Sequence, residues 1–502
     1  MSSAKKQKIE KGGMEKIVGY SERVIEYGFY GLVFLVPLVF TTSTFELFEF
    51  PKMILVYFLA ILIVAAFLVK SVCLGKLALP LTPLDKPIAA FVLASIVSTI
   101  FSIDKYTSIF GYYTRFDGGL LSLLAYVSLY YVFIGEMGEE QKTKNKEQRT
   151  KKFVKALLLS SAFVSVYGVL QHFGIDKDYW VQDVQRRVFS TLGQPNWLAA
   201  YLIMVIPVSL SLVVENHKSQ ITNPKQAPNS KLKISKLFYI SLPIVLYTAF
   251  WFTYSRSGLL GFGAAMITFL IFLSKENFKR HWRPLLLVGL TWAMISIFGQ
   301  TPMSIGVKNE KRIPKEDTPL VAPTDIGAKH RFILTFTPKI VAAATPSAQP
   351  KQPPTGSTVQ IRLAVWKGTF NLIKDNLLIG TGPETFAYAF LPYRPVELNQ
   401  TAEWEFLYNK AHNEYLNVAA CTGLLGLGAY LWIIGKFVLG NLKRLLAQDY
   451  KPISAGVFAG WVGVLVSNFF GFSVVVTSLL FWLYMALGSV SGRESASGRW
   501  RP

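Results

Sequence analysis

Apolar residues gather into twelve long runs that short polar segments separate. A membrane-spanning helix needs about 20 mostly apolar residues, and each run approaches or reaches that length. The runs cover residues 24–43, 53–72, 87–103, 119–137, 153–173, 197–215, 237–255, 257–274, 284–300, 414–435, 453–471 and 474–491. The pattern predicts an all-α, polytopic integral membrane protein with about twelve transmembrane helices.

The polar stretches divide the chain into five parts. A basic N-terminus covers residues 1–23, and nine predicted spans follow within 24–300. A large hydrophilic segment occupies 301–411, three more spans lie within 412–492, and a short tail covers 493–502. The large segment is where the sequence predicts most of the structure outside the membrane.

Lys and Arg are distributed unevenly between alternate loops, and this predicts the orientation. Loops on the N-terminal side carry three to six Lys or Arg each, whereas the opposite short loops carry none to three. Short loops rich in Lys and Arg stay in the cytoplasm, while long segments are translocated largely regardless of charge. We therefore expect both termini in the cytoplasm and residues 301–411 outside.

Composition supports a membrane protein and excludes other classes. Charged residues make up 16% of the chain, against about 25% in soluble domains, and the mean hydropathy is +0.36. The net charge of +22 would suit nucleic acid, but the basic residues lie mainly in short loops. We therefore expect membrane lipids as partners and no nucleic acid. Cys73 and Cys421 both lie in apolar runs, which excludes a disulfide framework and a thiolate metal site.

The large hydrophilic segment has two predicted parts. Residues 301–360 are rich in Pro, Thr, Lys and Ala and predict a flexible linker. Residues 361–377 predict an amphipathic helix that can rest on the outer membrane surface. Its apolar stripe is formed by Leu363, Trp366, Phe370, Ile373 and Leu377.

His412 lies where the large segment enters the tenth predicted span, and Asn413 follows it. An imidazole titrates near neutral pH and is suited to general-base catalysis. The alternative interpretation is an interfacial histidine beside Asn413, with the pair capping the helix. Position alone does not separate the two.

Two arginines are candidates for binding an anion on the same side of the membrane. Arg256 interrupts an otherwise uncharged stretch, and Arg362 lies one helical turn before Trp366. The planar guanidinium presents paired N–H donors that match phosphate. The alternatives are a turn residue reaching the membrane surface for Arg256 and a solvated helix start for Arg362.

Two further motifs give weaker signals. Asp176-Lys177-Asp178 has an Asp-x-Asp pattern that can bind a divalent metal, although a solvated turn is the simpler interpretation. The segment Gly380–Phe386 contains two glycines but lacks the third glycine and the preceding strand of a dinucleotide site. It predicts a tight turn that lines a site. We expect no metal and no cofactor.

These motifs together resemble the O-antigen ligase family of bacterial membrane proteins. The most specific match is His412-Asn413, nine residues and then Gly423-Leu424-Leu425-Gly426. The family's Ser-Arg-x-Gly element corresponds to Ser255–Gly258, and its Arg-then-Trp helix with a Gly-x-Gly turn corresponds to Arg362, Trp366 and Gly380–Gly382. Residues 115–119 and 189–196 are similar to family loops, whereas the Pro-rich insertion at 301–360 departs from the family pattern.

The resemblance implies transfer of an oligosaccharide from undecaprenyl pyrophosphate to an acceptor hydroxyl at the outer face of the bacterial cytoplasmic membrane. Family members are metal-independent, are expected to invert the anomeric centre, and have a scaffold akin to integral-membrane (GT-C-like) glycosyltransferases. By this resemblance His412 is the base, and Arg256 and Arg362 bind the pyrophosphate. The residues expected to line the site are Arg115, Asn196, Gly382 and Asn413.

Several functions remain open from sequence. A related surface-polysaccharide polymerase or a protein O-oligosaccharyltransferase fits the same motifs, so the acceptor is a glycan, a lipid or a protein. A transporter or flippase would also have many spans, but it should place ionisable residues near the middle of the membrane. A membrane scaffold for envelope assembly would tolerate loss of His412.

Overall fold

The computed structural model describes residues 3–77, 79–138, 145–216, 230–299, 358–401, 403–447 and 450–491. Within these ranges the chain is all-helical and contains no strand. The predicted linker at 301–360 lies outside the described residues, apart from its last three, which already belong to a helix.

Fifteen α-helices are found in the described part of the chain. The first seven are α1 Ser3–Leu35, α2 Glu49–Leu74, α3 Asp85–Ile100, α4 Lys105–Phe110, α5 Leu120–Gly138, α6 Asn145–His172 and α7 Pro195–Asn216. The others are α8 Ser230–Phe252, α9 Arg256–Phe272, α10 Lys275–Phe298, α11 Thr358–Asp375, α12 Phe386–Ala389, α13 Glu414–Leu446, α14 Pro452–Ser467 and α15 Val475–Ser491.

Each of the twelve predicted spans overlaps one of these helices. Five of them, α2, α6, α7, α10 and α13, are long and apolar enough to cross a membrane, and α5, α8, α9, α14 and α15 are shorter apolar helices. The chain is therefore a multi-pass membrane protein. The full count of twelve crossings and the orientation remain predictions.

The boundaries of the first span differ from the prediction. The helix α1 begins at Ser3 instead of residue 24, because the basic N-terminal segment is rich in good helix formers and joins the span without a break. The same helix ends at Leu35 instead of residue 43. Pro37 explains this end, since the residue before a proline is disfavoured in helical conformation.

The helix α7 forms the centre of the bundle. In the most apolar 18-residue window of α7, 94% of the residues are buried, whereas 11% are buried in the corresponding window of α10. α7 packs against α14, where Gly456, Gly460 and Gly463 bring the two backbones together. A Cβ at Gly460 would lie 2.2 Å from the Met204 carbonyl oxygen, so this contact requires small residues, as is typical of helices packed in membranes.

Buried residues between Ile361 and Cys421 form a second, smaller hydrophobic cluster around the start of α13. The buried face of α11 is formed by Ile361, Val365, Leu372 and Ile373. In the predicted stripe Leu363, Phe370 and Leu377 are exposed, Trp366 is half-buried and Ile373 is buried. That the exposed part rests on the membrane remains a prediction. α11 has two apolar faces, and only one of them packs on the protein.

The helix α13 is broken at Gly423, whose φ is 68°. A Cβ at this position would lie 2.1 Å from the carbonyl oxygen of Leu378, so both conformation and space favour glycine. The backbone of residues 420–425 pairs with segment 377–382 through four hydrogen bonds of 2.8–3.2 Å. The spacing between His412 and Gly423 is therefore the length of helix that joins the histidine loop to this break.

Candidate active site

The loop that carries His412 is fixed by hydrogen bonds on both sides of the histidine. The Trp366 indole N–H donates to the Ala411 carbonyl at 3.1 Å, and the Ala411 N–H donates to Asn417 Oδ1 at 3.2 Å. Asn413 caps α13 by accepting the Leu416 N–H at 3.1 Å. Between these anchors His412 adopts a left-handed conformation with φ of 53°, which costs free energy for a non-glycine residue and is often found at functional sites.

The His412 imidazole is half-buried between two aromatic rings. Its centroid lies 6.0 Å from the Tyr408 ring, edge to face, and 5.6 Å from the Phe472 ring. Burial, and then the positive charge of Arg362, lower the pKa of His412 to about 4. The imidazole is consequently neutral at physiological pH and can accept a proton.

Arg362 lies on the half-buried side of α11, one turn before the Trp366 that anchors the histidine loop. Burial lowers the pKa of this guanidinium, and Glu403 partly opposes the effect. Among the described residues Arg362 forms no ion pair. Its N–H donors therefore remain available to an anionic ligand.

Arg187 is a second cation at this site, and none of the sequence motifs predicted it. Its pKa is lowered by burial and then by the charges of Arg186 and Arg362, which puts Arg187 within electrostatic reach of Arg362. The Arg186–Arg187 doublet stands in a short loop predicted to lie outside, where positive charge is rare. That exception, directly before the loop 189–196, was the available signal.

The Arg187 guanidinium is oriented by neighbours from two other elements. Its Nε donates to the Thr253 carbonyl at 3.0 Å, and Nη2 donates to Asn196 Oδ1 at 3.3 Å. Asn196 Oδ1 also accepts the Ser255 hydroxyl at 2.8 Å. The predicted residue Asn196 thus lies at the junction of α7, α9 and the Arg187 loop.

Arg115 reaches the same region through a chain of ring contacts. Its guanidinium lies 5.3 Å from the Trp197 ring centroid, and Trp197 lies 6.4 Å from Phe472, the ring that contacts His412. Arg115 Nε is buried and has no hydrogen-bond partner among the described residues. Four parts of the chain that are distant in sequence therefore converge around His412.

Comparison with known protein families identifies this region. Residues 243–431 match the family model described as O-antigen ligase. This part of the chain, just over a third of its length, is similar to the O-antigen ligase family. No curated protein matches the chain significantly. The match indicates a glycosyl-transfer enzyme of the ligase or polymerase type, with lipid-linked oligosaccharide and a glycan acceptor as its partners.

The O-antigen ligase domain contains Arg256, Arg362 and His412, whereas Arg115, Arg187 and Asn196 precede it. The domain alone therefore does not contain the whole site. The loops that precede the domain supply the second half-buried arginine and its asparagine partner.

Arg256 differs from the other two arginines. It is the first residue of α9, and its side chain is exposed and without a partner among the described residues. Its neighbours explain the Ser-Arg-x-Gly motif structurally. The Ser255 hydroxyl accepts the Gly258 N–H at 3.1 Å and caps α9, and a Cβ at Gly258 would lie 2.9 Å from that of Ala199 on α7.

Gly382 and Asn413 have structural contacts in the O-antigen ligase domain. The Gly382 N–H donates to the Cys421 carbonyl at 2.9 Å, beside the break in α13. The residues after it, Pro383 and Glu384, line a cavity that Lys410 of the histidine loop also lines. Asn413 caps α13, as the alternative interpretation of the His-Asn pair predicted for that residue.

The Asp-x-Asp motif is engaged in structure by its first residue. Asp176 Oδ2 accepts hydrogen bonds from the Tyr167 hydroxyl, the Gln171 amide and the Trp180 indole. Hydrogen bonds from these three side chains, opposed by partial burial, lower the pKa of Asp176. In the described ranges no group of three or more His, Cys, Asp or Glu side chains is placed to hold a metal ion.

Proposed function

We propose that this protein transfers an oligosaccharide from undecaprenyl pyrophosphate to an acceptor hydroxyl at the outer face of the bacterial cytoplasmic membrane. The observation that carries the proposal is the neutral, half-buried His412 imidazole within the electrostatic reach of Arg362, which in turn acts on Arg187. A proton acceptor beside two cations without carboxylate partners suits a reaction whose leaving group is an anion.

In the proposed reaction His412 accepts the proton of the acceptor hydroxyl. The hydroxyl oxygen then forms a bond to the anomeric carbon, and the bond between that carbon and the pyrophosphate oxygen breaks. The bonding electrons leave with undecaprenyl pyrophosphate, and one direct displacement inverts the anomeric centre. Positioned bases typically contribute about 10²–10⁴-fold to such steps.

Arg362 and Arg187 bind the pyrophosphate and stabilise the negative charge that develops on it. Guanidinium groups at a partly buried site give stronger electrostatic stabilisation than they do in bulk water. We therefore propose metal-independent transfer, with the arginines in the role that a divalent cation has in other glycosyltransferases. Arg256 contributes a third, solvent-exposed cation beside Ser255.

Ligase, polymerase and protein O-oligosaccharyltransferase differ in the acceptor and share this chemistry. A ligase transfers the glycan to a lipid-linked sugar, a polymerase to another repeat unit on its carrier, and an oligosaccharyltransferase to a protein hydroxyl. We propose a ligase because the matched family is described as O-antigen ligase. The polymerase is the closest alternative.

The test uses purified protein with labelled undecaprenyl-pyrophosphate oligosaccharide and three acceptors: a lipid-linked core glycan, a second donor molecule and a hydroxyl-bearing peptide. Each reaction is run with and without EDTA. We expect transfer to the glycolipid in EDTA, with an inverted linkage. Activity that is lost in EDTA and restored by magnesium or manganese would contradict the arginine-based mechanism.

A further inference from the structure

A cavity of about 150 Å³ lies next to the histidine loop, and Arg362 is not among the residues that line it. Its lining contains three carboxyl groups, those of Asp117, Glu384 and Glu414, and one amino group, that of Lys410. His412 itself does not line it. Lys410 and Glu414, which flank His412 in sequence, line the cavity, so the histidine loop borders a second, differently charged environment.

Lys410 is the only cation among the residues that line this cavity, and three carboxylates share it. It forms an ion pair with Glu384, in which the two side chains are only 12% and 5% exposed. Burial lowers the pKa of Lys410, but the charges of Glu384, Glu414 and Asp117 together raise it above its ordinary value. The ammonium therefore stays charged in the folded protein.

The three carboxylates come from three different parts of the structure. Glu384 follows the Gly-x-Gly turn, Glu414 is the first residue of α13, and Asp117 belongs to the loop before α5. Two of them are fixed by other donors, because Asp117 accepts the Tyr126 hydroxyl at 3.2 Å and Glu414 accepts the Ser473 N–H at 3.0 Å. Lys410 therefore connects the histidine loop to several fixed elements.

Stability alone does not account for this arrangement. Replacing a buried ion pair by apolar groups is often neutral or stabilising, and a specific conformation is one reason to keep such a pair. The adjacent loop needs such a restraint, since His412 is held in a left-handed conformation. Lys410 is two residues from His412 and is the charged anchor of this loop.

We propose that Lys410 is a positioning residue for the reaction. Its ion pair with Glu384 holds the loop so that the His412 imidazole faces the arginine side. This inference rests on the proposed function for its kinetic consequences but not for its structural ones. Loss of the ammonium is expected to displace the imidazole while the pyrophosphate-binding arginines stay in place.

The variants are Lys410→Met, which removes the charge at similar length, and Lys410→Arg, which retains it. The matched control is Lys367→Met on α11. It breaks an ion pair with Glu397 in which the Lys367 side chain is 64% exposed and the Glu397 side chain 59%. Two readouts are taken on purified protein. One is the kcat and KM for the lipid-linked donor, and the other is the rate at which diethyl pyrocarbonate modifies His412, measured by mass spectrometry.

We expect Lys410→Met to lower kcat by about 100-fold, as a displacement of about 1 Å can do, with little change in donor KM. The modification rate of His412 should rise several-fold. Lys410→Arg should recover much of the kcat, and Lys367→Met should behave as the unmodified protein in both readouts. Unchanged kcat and unchanged labelling in Lys410→Met would overturn the proposal.

A double variant separates positioning from stability. If Lys410→Met folds poorly because Glu384 is left unpaired, Lys410→Met with Glu384→Gln removes both charges of the pair. We expect it to recover thermal stability but not kcat, and full recovery of kcat would overturn the proposal. The labelling rate tests the position of His412 even if the unmodified protein transfers no glycan, a result that would reject the proposed function alone.

Discussion

Two groups of charges near the histidine loop, the arginines around His412 and the residues around Lys410, differ in how they are paired. In the first group, Arg362 and Arg187 interact electrostatically, and neither has a carboxylate within ion-pair distance among the described residues. In the second group, the single ammonium of Lys410 interacts with three carboxylates. The difference separates cations available for a ligand from a cation already engaged in the protein.

The same difference explains the properties of the histidine between them. Burial and then the charge of Arg362 keep His412 neutral, while the carboxylates act on Lys410. A base therefore lies next to positive charge, where a carboxylate neighbour would have favoured the imidazolium.

The largest effect on donor binding is expected from replacing the arginines near His412. Arg362→Lys and Arg187→Lys keep the charge but lose the planar pair of donors. Because a hydrogen bond to a charged group contributes about 1.5–3 kcal/mol, donor affinity should fall by about 10- to 100-fold in each variant. The affinity is measured with the lipid-linked donor and purified protein. Lys367→Arg, on the exposed face of α11, is the control. Unchanged affinity in Arg362→Lys would reduce that residue to a structural anchor.

The pH dependence tests the electrostatics of the base. With a pKa of about 4 for His412, activity should be flat from pH 8 to about 5 and fall only below that. Since the pKa in the unfolded chain is about 6.5, the unfolded state binds more protons between these values, and this contribution to stability rises with pH across that window. Arg362→Gln should move the acidic limb of the activity profile upward. An acidic midpoint near 6.5 in the unmodified protein would argue against this environment.

Replacing a carboxylate on the cavity side should leave donor binding intact. Burial raises the pKa of Asp117 above its ordinary value, so its charge is stabilised less in the fold than in water. Asp117→Asn should keep donor affinity within about twofold and change the free energy of unfolding by no more than about 1 kcal/mol. Thermal unfolding and donor binding measure both quantities. A loss of donor affinity equal to that of Arg362→Lys would show that the cavity belongs to the binding site.

The smallest effect is expected at Arg256. Its side chain is exposed, and exposed ion pairs typically contribute about 0.2–1 kcal/mol. Arg256→Ala should therefore weaken donor binding by up to about fivefold, and less so at high salt. Arg187→Ala, measured in the same assay, shows which of the two arginines contributes more to donor binding. A larger loss in Arg256→Ala would make the exposed arginine the principal ligand of the pyrophosphate.

Sequence patterns predicted the helices well because long apolar runs have few alternatives in a membrane protein. Each of the twelve predicted spans overlaps a helix, and α1 differed in its ends because Pro37 stops it and the basic segment continues it. The membrane-facing stripe on α11 was predicted from spacing, but spacing alone does not tell which apolar face meets protein. The buried row instead follows Ile361, Val365 and Leu372.

The candidate site was only partly predictable. His412 and Arg362 follow from motifs, but Arg187 comes to the site through contacts with Thr253 and Asn196 that are distant in sequence. The cavity around Lys410 joins three elements, and nothing in the local sequence indicates that its charges meet. Tertiary packing determines both.

The most direct test of the central claim is His412→Ala, assayed for turnover and for donor binding on the same purified sample. If the imidazole is the base, kcat should fall by about 10²–10⁴-fold, while the donor still binds because Arg362 and Arg187 remain. His412→Gln is the control of similar shape and should be equally impaired. Transfer by His412→Ala at close to the original rate would contradict the assignment.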